Sequence, residues 1–309
     1  MLTSVVGRIK EAQDRKKSKI IIDFICQSLG FKSRQAFYKR KRRAAKNAKE
    51  EARVLELTKI VRHQQYRVGT GKLYDDIKPF LENEDIKMGR DKVHKCLKKN
   101  DLTIKPKKKY KTTTDSKHIF WKYKNRIKDL NLTRPEQVFV NDITYIRVRD
   151  QFAYLFLVTD AYSKKIMGWT INYTMKVKDA TKAILMAHRN RRFKNEVFHH
   201  SDRGIQYCTP SYIKYIEKKG MIPSMTEDLH VYENAVAERV NGILKGEFDI
   251  DIAFASLKEA RAVIDQSIHI YNNKRRHLSL HKLTPNFVHF NPGIKIKTYK
   301  RTKENMENS

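Results

Sequence analysis

The chain has 309 residues, 40% of them hydrophobic, which is enough for one sizeable core and one or two small helical modules. Lysine and arginine number 66 against 34 acidic residues; the net charge of +32 argues against an ordinary small-molecule enzyme and favours a polyanionic partner, nucleic acid before a membrane surface. No apolar stretch is long enough to span a bilayer and no signal-peptide core is visible, so we expect a cytoplasmic protein with no membrane partner.

The N-terminal third predicts two basic helical segments. In residues 1–49 an apolar helix ends at a glycine, and Ser33 then caps a second helix, an arrangement typical of a helix-turn-helix. In residues 50–104, Gly69 and Gly71 precede one helix and KMGRDKV begins another. An ordinary helical hairpin with a solvated charged face is the alternative for each segment, but two in tandem favour DNA binding. The candidate DNA contacts here are Arg34, Gln35, Lys39, Arg90 and Lys92.

A lysine-rich stretch without apolar periodicity then predicts a basic linker and helix over residues 105–134. After it, the β-branched and aromatic runs VFVNDITYIRV, FAYLFLVTD and KIMGWTINY predict a three-stranded antiparallel meander. A helical stretch, the short strand NEVFHHSD, a helix opened by Thr209 and Pro210, and the strand MIPSM follow. We therefore expect an α/β fold with a mixed five-stranded sheet flanked by helices.

The end of the chain is predicted to contain one more helix, followed by a tail. A C-terminal helix begins at Ser256, whose spacing from Glu259 fits a capping box, and it completes a domain over residues 135–290. The basic and polar residues 291–309 are expected to be a flexible tail.

Two aspartates stand out by their position on the predicted strands. Asp142 shares strand parity with Val140 and Ile146, on the face that we expect to be buried. An ionised carboxylate without a partner there would cost on the order of several kcal/mol, so we expect a cationic group or ion to lie next to it. Asp202 ends the strand NEVFHHSD and is followed by a glycine turn, in a loop position where active sites tend to lie.

A third acid, Glu238, lies on a predicted helix with a core stripe and a separate polar face. The polar face carries Asn234, Glu238, Asn241 and Lys245 at spacings of four and three. Taken singly, each of the three acids is more often a paired or solvated surface charge. Together, three acids from two strands and a helix suit a pair of divalent cations for phosphodiester chemistry, with hard oxygen ligands that favour Mg²⁺ or Mn²⁺.

At these residues the chain resembles the transposases of bacterial insertion sequences that share the retroviral-integrase (DDE) core, specifically the downstream-frame, or OrfB-type, product. The matching motifs are NDITYI around Asp142, HSDRGIQY around Asp202 and SMTEDLHVYENAVAERVNGILK around Glu238. The spacing between Asp202 and Glu238 is one for which this family is known. YNNKRRHLSLHKLTP, over residues 271–285, resembles its C-terminal signature.

The resemblance implies an RNase H-like fold and a catalytic triad of Asp142, Asp202 and Glu238 that holds two Mg²⁺ or Mn²⁺ ions for DNA strand cleavage and strand transfer. It also implies that Lys245 contacts the DNA of the element ends. The implied partners are double-stranded DNA (terminal inverted repeats and target DNA), further copies of the chain in a homo-oligomer, and an upstream-frame transposase subunit or fusion. A nucleoid-associated location in a bacterial cytoplasm follows from these partners.

Two residues depart from the family pattern. Asn141 stands where threonine or serine is commoner, and Leu229 occupies a position usually held by glycine in the loop before the helix of Glu238. If that loop needs a positive φ, Leu229 would strain it. Two alternatives stay open: a catalytically decayed, DNA-binding repressor and an RNase H-like nuclease without end recognition. The intact acids argue against the first, and the tandem basic helices argue against the second.

Overall fold

A computed structural model of the chain describes residues 33–104, 119–227 and 234–296. Within these ranges the chain divides into two compact units. The first contains residues 33–60 and 73–103, and the second contains residues 61–72, 104, 119–227 and 234–296. No helix in the described ranges is long and apolar enough to cross a membrane.

Three helices supply the first unit: α1 (Arg34–Gln64) as far as residue 60, α2 (Thr70–Asn83) from residue 73, and α3 (Arg90–Lys99). The predicted cap of α1 is confirmed, since the Ser33 Oγ accepts a hydrogen bond from the Ala36 N–H at 3.2 Å. The helix predicted before Ser33 lies outside the described residues. Apolar side chains from all three helices form the buried interior of this unit: Val54, Leu57, Leu73, Ile77, Leu81, Val93, Cys96 and Leu97.

Two details of this region differ from the sequence-based expectation or extend it. Gly71 lies inside the first turn of α2 and does not precede the helix, which begins at Thr70. The first turn tolerates glycine because its N–H groups have no partner within the helix. Helix α1 runs without a break through residue 49, where two basic segments were predicted to meet. The domain boundaries remain predictions.

The second unit is built on a five-stranded sheet. Its strands are β1 (Val138–Val148), β2 (Gln151–Asp160), β3 (Ile166–Asn172), β4 (Val197–Ser201) and β5 (Met221–Met225), in the order β3-β2-β1-β4-β5. The first three form an antiparallel meander, and β4 and β5 continue the sheet in parallel with β1. The predicted mixed five-stranded, RNase H-like sheet is therefore confirmed.

Helices flank this sheet as predicted: α4 (Val177–Arg189), α5 (Ile205–Cys208), α6 (Pro210–Lys218), α7 (Ala235–Glu247), α8 (Leu257–Asn273) and α9 (Pro285–Phe290). The capping box of α8 is confirmed, since the Ser256 Oγ accepts from the Glu259 N–H at 3.1 Å. The return bond goes one residue further back, from the Ala255 N–H to Glu259 at 2.7 Å. Residues 119–134, the described part of the predicted linker and helix, form turns and extended chain.

Strand alternation assigns the residues of β1 to two separate cores. Odd-numbered Phe139 packs with Phe156 of β2 and Ile184 of α4 on one face. Even-numbered Ile146 belongs to the opposite core with Val240 of α7. This is the two-residue period expected of a strand covered on both sides. Asp142 has even parity, so its side chain is on the face that α7 covers.

Candidate active site

The pairing of β1 with β4 brings Asp142 and Asp202 together. Asn141 lies opposite Ser201 in this parallel ladder, so the two aspartates are the next residues on neighbouring strands. The Asp202 carboxylate accepts a hydrogen bond from the Gly204 N–H at 3.1 Å. A Cβ atom on Gly204 would lie 3.0 Å from the Asp202 Oδ1, so a side chain there would displace the carboxylate. This close approach gives a physical reason for the glycine after the strand.

Helix α7 places Glu238 beside these two strands. Asn234, at the N-cap of α7, donates from Nδ2 to the Asn141 carbonyl at 3.2 Å. Asn241, three residues after Glu238, donates from Nδ2 to the Asp142 Oδ2 at 2.5 Å. The predicted polar face of this helix therefore contacts β1 directly. Glu238 itself is exposed, in the first turn of α7.

Electrostatics separates this group of acids from ordinary surface charges. Burial, together with the nearby charges of Asp202 and Glu238, raises the pKa of Asp142 to about 7, although hydrogen bonds from Ile143 and Asn241 oppose the shift. Burial also raises the pKa of Asp202 and of Glu238. Desolvation thus favours proton binding at all three acids, and repulsion by Asp202 and Glu238 adds to this effect at Asp142.

The donor set fits a divalent cation by its chemistry. Carboxylate oxygens are the hard ligands that Mg²⁺ and Mn²⁺ prefer, and a cation would relieve the repulsion that raises the Asp142 pKa. No three His, Cys, Asp or Glu side chains within residues 33–104, 119–227 and 234–296 already stand in a metal-holding arrangement. The charges of Asp202 and Glu238 therefore influence Asp142, but the three side chains are not arranged as the ligands of a bound ion.

Lys245 lies on the same helix, two turns after Glu238, and is half-buried. Burial lowers the pKa of its ammonium group, whereas the charges of Asp251 and Asp142 oppose that shift. The structure thus places the predicted DNA-contacting lysine within the electrostatic influence of Asp142. Its role in DNA binding stays a prediction.

The C-terminal end of α7 is held by an ionic network that the sequence reasoning missed. Arg275 donates two hydrogen bonds to Glu247, from Nη2 at 2.6 Å and from Nε at 2.7 Å, and Lys72 contacts the same carboxylate at 3.0 Å. Arg275 lies within the C-terminal signature YNNKRRHLSL, which was the available signal. This bidentate pair limits how far the helix that carries Glu238 can move.

Two buried histidines, His199 and His200, precede Asp202 in β4. The His199 Nε2 lies 2.8 Å from the Tyr212 hydroxyl, and burial lowers the pKa of His199 to about 3. The His200 Nδ1 lies 3.0 Å from the Ser224 Oγ. Both imidazoles are buried in the sheet, and the neutral His199 serves packing.

The remaining predicted positions lie away from these acids in the chain. Gln35 and Lys39 are exposed on α1, and Arg90 and Lys92 are exposed in the first turn of α3. Arg34 begins α1. Leu229 and the loop in which strain was expected lie outside the described residues. The DNA contacts therefore remain predictions.

Comparison with known proteins identifies the family. Two family models, both described as "Integrase core domain", match residues 133–229 and 219–285. The "Insertion element IS600 uncharacterized 31 kDa protein" of Shigella sonnei is 32% identical over 265 residues, which cover 84% of this chain and 96% of that protein. The chain belongs to the insertion-sequence transposases of the retroviral-integrase superfamily.

Other relatives of this transposase extend the comparison. It is 28% identical over 221 residues to "Transposase InsF for insertion sequence IS3A" of Escherichia coli K12, covering 71% of this chain and 75% of that protein. Among solved structures, the HTLV-2 integrase catalytic core domain in complex with magnesium aligns with 50% of this chain and 97% of its own, at 15% identity and a TM-score of 0.42.

Family membership gives the general activity. The transposase acts in DNA transposition as an enzyme of the polynucleotidyl transferase type. Integrase cores of the DDE type typically use divalent metals, bind DNA and assemble as oligomers.

Proposed function

We propose that this transposase cleaves the ends of its insertion element and joins the freed ends to target DNA, at a site formed by Asp142, Asp202 and Glu238. The observation that carries the proposal is that Asp142 adjoins Asp202 across paired strands and is influenced by the charge of Glu238 on α7. Ladder pairing makes Asp142 and Asp202 neighbours, and the Asn241–Asp142 hydrogen bond brings in the helix of Glu238. Desolvation raises the pKa of all three acids, and the charges of Asp202 and Glu238 raise that of Asp142 further, so a divalent cation would relieve this strain on their ionised forms.

The reaction is an in-line displacement at phosphorus. In the first step a water oxygen forms a bond to phosphorus while the bond to the 3′ oxygen breaks, which leaves a free 3′-hydroxyl. In the second step that hydroxyl attacks a phosphodiester of the target, and a new 3′ oxygen leaves. Two divalent ions held by the three acids would supply charge neutralisation at the phosphate and activation of the attacking oxygen.

The side chains around the acids have distinct tasks in this proposal. Asn241 orients the Asp142 carboxylate, and Gly204 orients that of Asp202 through its N–H. Lys245 binds a phosphate of the element end next to the acids. Because its side chain is half-buried on α7, it presents the ammonium at a defined place.

The basic helices of the first unit would supply DNA recognition. Exposed Arg90 and Lys92 lie in the first turn of α3, where backbone N–H groups also favour phosphate. We include the predicted contacts Arg34, Gln35 and Lys39 of α1 in this surface. Two element ends must be joined in concert, so we propose a homo-oligomer on double-stranded DNA, with the upstream-frame subunit or fusion as a further partner.

A cleavage assay on labelled element-end DNA tests the proposal. The purified full chain is incubated with the duplex in Mg²⁺ or in EDTA, and Asp202→Asn is compared with wild type. We expect Mg²⁺-dependent nicking that falls by roughly 10³-fold or more in the variant, because several kcal/mol of barrier lowering are lost, while DNA binding is kept. Asp150→Asn, an exposed acid in the β1–β2 turn, is the matched control and should cleave normally.

Each other outcome identifies a different function. Normal cleavage by Asp202→Asn would overturn the assignment of the acids. A wild-type chain that binds element ends but never cuts them would be a DNA-binding repressor. Equal cutting of unrelated duplexes would indicate a nuclease without end recognition.

A further inference from the structure

Asn141 is buried at the point where the three acid-bearing elements meet, with 1% of its surface exposed. It lies in β1 directly before Asp142 and opposite Ser201, the last residue of β4. Its side chain donates from Nδ2 to the His200 carbonyl of β4 at 3.0 Å and to the Phe139 carbonyl at 3.2 Å. Its own carbonyl accepts from Asn234 of α7 at 3.2 Å. Asn141 therefore joins β1 to β4 through its side chain, and its backbone carbonyl joins β1 to α7.

The place of these bonds matters because the β1–β4 ladder is short. Its pairs run from Val138 with Phe198 to Asn141 with Ser201, and Asp202 comes directly after the last pair. Strand ends are where pairing frays most easily, since no following ladder bond holds them. The hydrogen bond from the Asn141 side-chain amide to the His200 carbonyl adds a cross-strand contact two residues before Asp202.

The Asn141 carboxamide can donate more hydrogen bonds at this position than a hydroxyl group can. The Asn amide nitrogen has two hydrogens and can satisfy both carbonyls, whereas a serine or threonine hydroxyl has one. An apolar side chain would bond to neither carbonyl, so the carbonyls of Phe139 and His200 would each have one partner fewer.

We infer that the Asn141 side chain is a positioning group of this transposase, which sets the spacing of Asp142 and Asp202 by tying β1 to β4. The inference rests on the proposed function of the three acids as cation ligands. Asn141 acts through these acids and touches no reacting group.

Two substitutions and one matched control separate positioning from general stabilisation. Asn141→Leu keeps the number and branching of the side-chain heavy atoms and removes both donors, and Asn141→Thr restores one donor. The control is Asn272→Leu: Asn272 of α8 is also buried and exchanges two hydrogen bonds with the backbone of Ile166, at 2.9 and 3.0 Å. Those bonds hold β3, the strand at the edge of the sheet opposite β5.

The first measurement is Mn²⁺ binding to the full chain without DNA, followed by the electron paramagnetic resonance signal of free Mn²⁺. We expect Asn141→Leu to bind Mn²⁺ about tenfold more weakly, a typical result of losing a residue that orients metal ligands. Asn141→Thr should recover part of the affinity. Asn272→Leu should lower the melting temperature at least as much as Asn141→Leu and bind Mn²⁺ like wild type.

The second measurement is the Mg²⁺ concentration for half-maximal cleavage of element-end DNA, which should rise about tenfold in Asn141→Leu. Unchanged Mn²⁺ binding in Asn141→Leu, or equal weakening in Asn272→Leu, would overturn the positioning role. A wild-type chain that binds Mn²⁺ but cleaves no end DNA would refute the proposed function alone, and the Mn²⁺ comparison would still decide the role of Asn141. A wild-type chain that binds no Mn²⁺ would overturn this inference as well.

Discussion

Two groups of desolvated acids lie in the second unit, and they differ in what surrounds them. The first, which we call the compensated cluster, consists of Glu136, Asp160 and His289, all fully buried. The second, the acid site, consists of Asp142, Asp202 and Glu238. Glu136 lies two residues before β1, and Asp142 lies within β1.

Every carboxylate of the compensated cluster has strong donors. Glu136 accepts from the backbone N–H groups of Arg192 at 2.7 Å and Phe193 at 3.1 Å, and its Oε1 lies 3.2 Å from the His289 Nε2. Burial alone would raise the pKa of Glu136, but these hydrogen bonds hold it below the usual value. Burial alone would lower the pKa of His289, but its bonds to Asp160 and Glu136 raise it. Opposite charges therefore stabilise each other there.

The acid site has neutral donors in place of these cations. Asp142 accepts from the Ile143 N–H at 2.9 Å and from the Asn241 amide, and Asp202 accepts from the Gly204 N–H. These bonds leave the pKa of Asp142 raised. Burial of an acid therefore does not by itself indicate a functional site. A shortage of positive charge around a desolvated acid indicates function better, because a ligand then has to supply that charge.

The largest expected effect concerns the compensated cluster. Glu136→Gln should destabilise the protein by about 3–5 kcal/mol, because it leaves His289 in a buried ionic group with one carboxylate fewer. Chemical denaturation of the full chain measures this loss. Glu196→Gln, an exposed acid just before β4, is the control and should change the unfolding free energy by less than about 0.5 kcal/mol. Equal stability of Glu136→Gln would remove the distinction between the two groups.

Next in size is the response to metal. Free Mg²⁺ at about 100 times its dissociation constant should stabilise the wild-type chain by about 2.7 kcal/mol, since it binds only the folded acid site. Asp202→Asn should lose this increment. Asp160→Asn, in the compensated cluster, should keep it although the protein starts from a lower stability. Thermal unfolding with and without Mg²⁺ gives both values, and a Mg²⁺ increment that survives in Asp202→Asn would contradict the assignment.

The metal-free pH dependence provides a finer contrast. The folded pKa of Asp142, about 7, lies above its ordinary value of 3.8, so the folded state binds the extra proton between these values. Stability from this group therefore falls as pH rises from about 4 to 7. Asp142→Asn cannot titrate, and its stability relative to wild type should rise over that window, by about 2 kcal/mol after allowance for solvent screening. A constant difference between pH 5 and pH 8 would show that Asp142 ionises normally.

The smallest expected effect belongs to Lys245. Lys245→Ala should weaken binding to element-end DNA uniformly and reduce the slope of log affinity against log salt by about 1. Lys258→Ala, on the exposed surface of α8, is the control and should leave the slope unchanged. A wild-type slope in Lys245→Ala would place the phosphate contact elsewhere.

Much of the acid site was predictable because it depends on local periodicity. Strand parity placed Asp142 on a buried face, and helical spacing placed Asn241 and Lys245 beside Glu238; the structure confirms these placements. The cross-strand bonds of Asn141 were not predictable, since they require the exact register of β1 against β4. The pairing of Glu136 with His289 joins residues 153 positions apart and has no local pattern.

Gly168 shows the same limit at a single position. The sequence places this glycine inside a predicted strand without a visible reason. In the structure a Cβ atom there would lie 2.2 Å from the Ala183 carbonyl of α4, so only glycine allows the helix to approach β3 this closely. The reason for the residue becomes visible only when the helix is packed on the sheet.

By itself, the sequence determined the large positive charge, the order of strands and helices, and the face of each element that carries an acid, because these depend on composition and on the periods of strand and helix. Only the tertiary structure decided which buried acids have cationic partners. That difference depends on contacts between residues far apart in the chain, and on desolvation, which exists only once the elements are packed together.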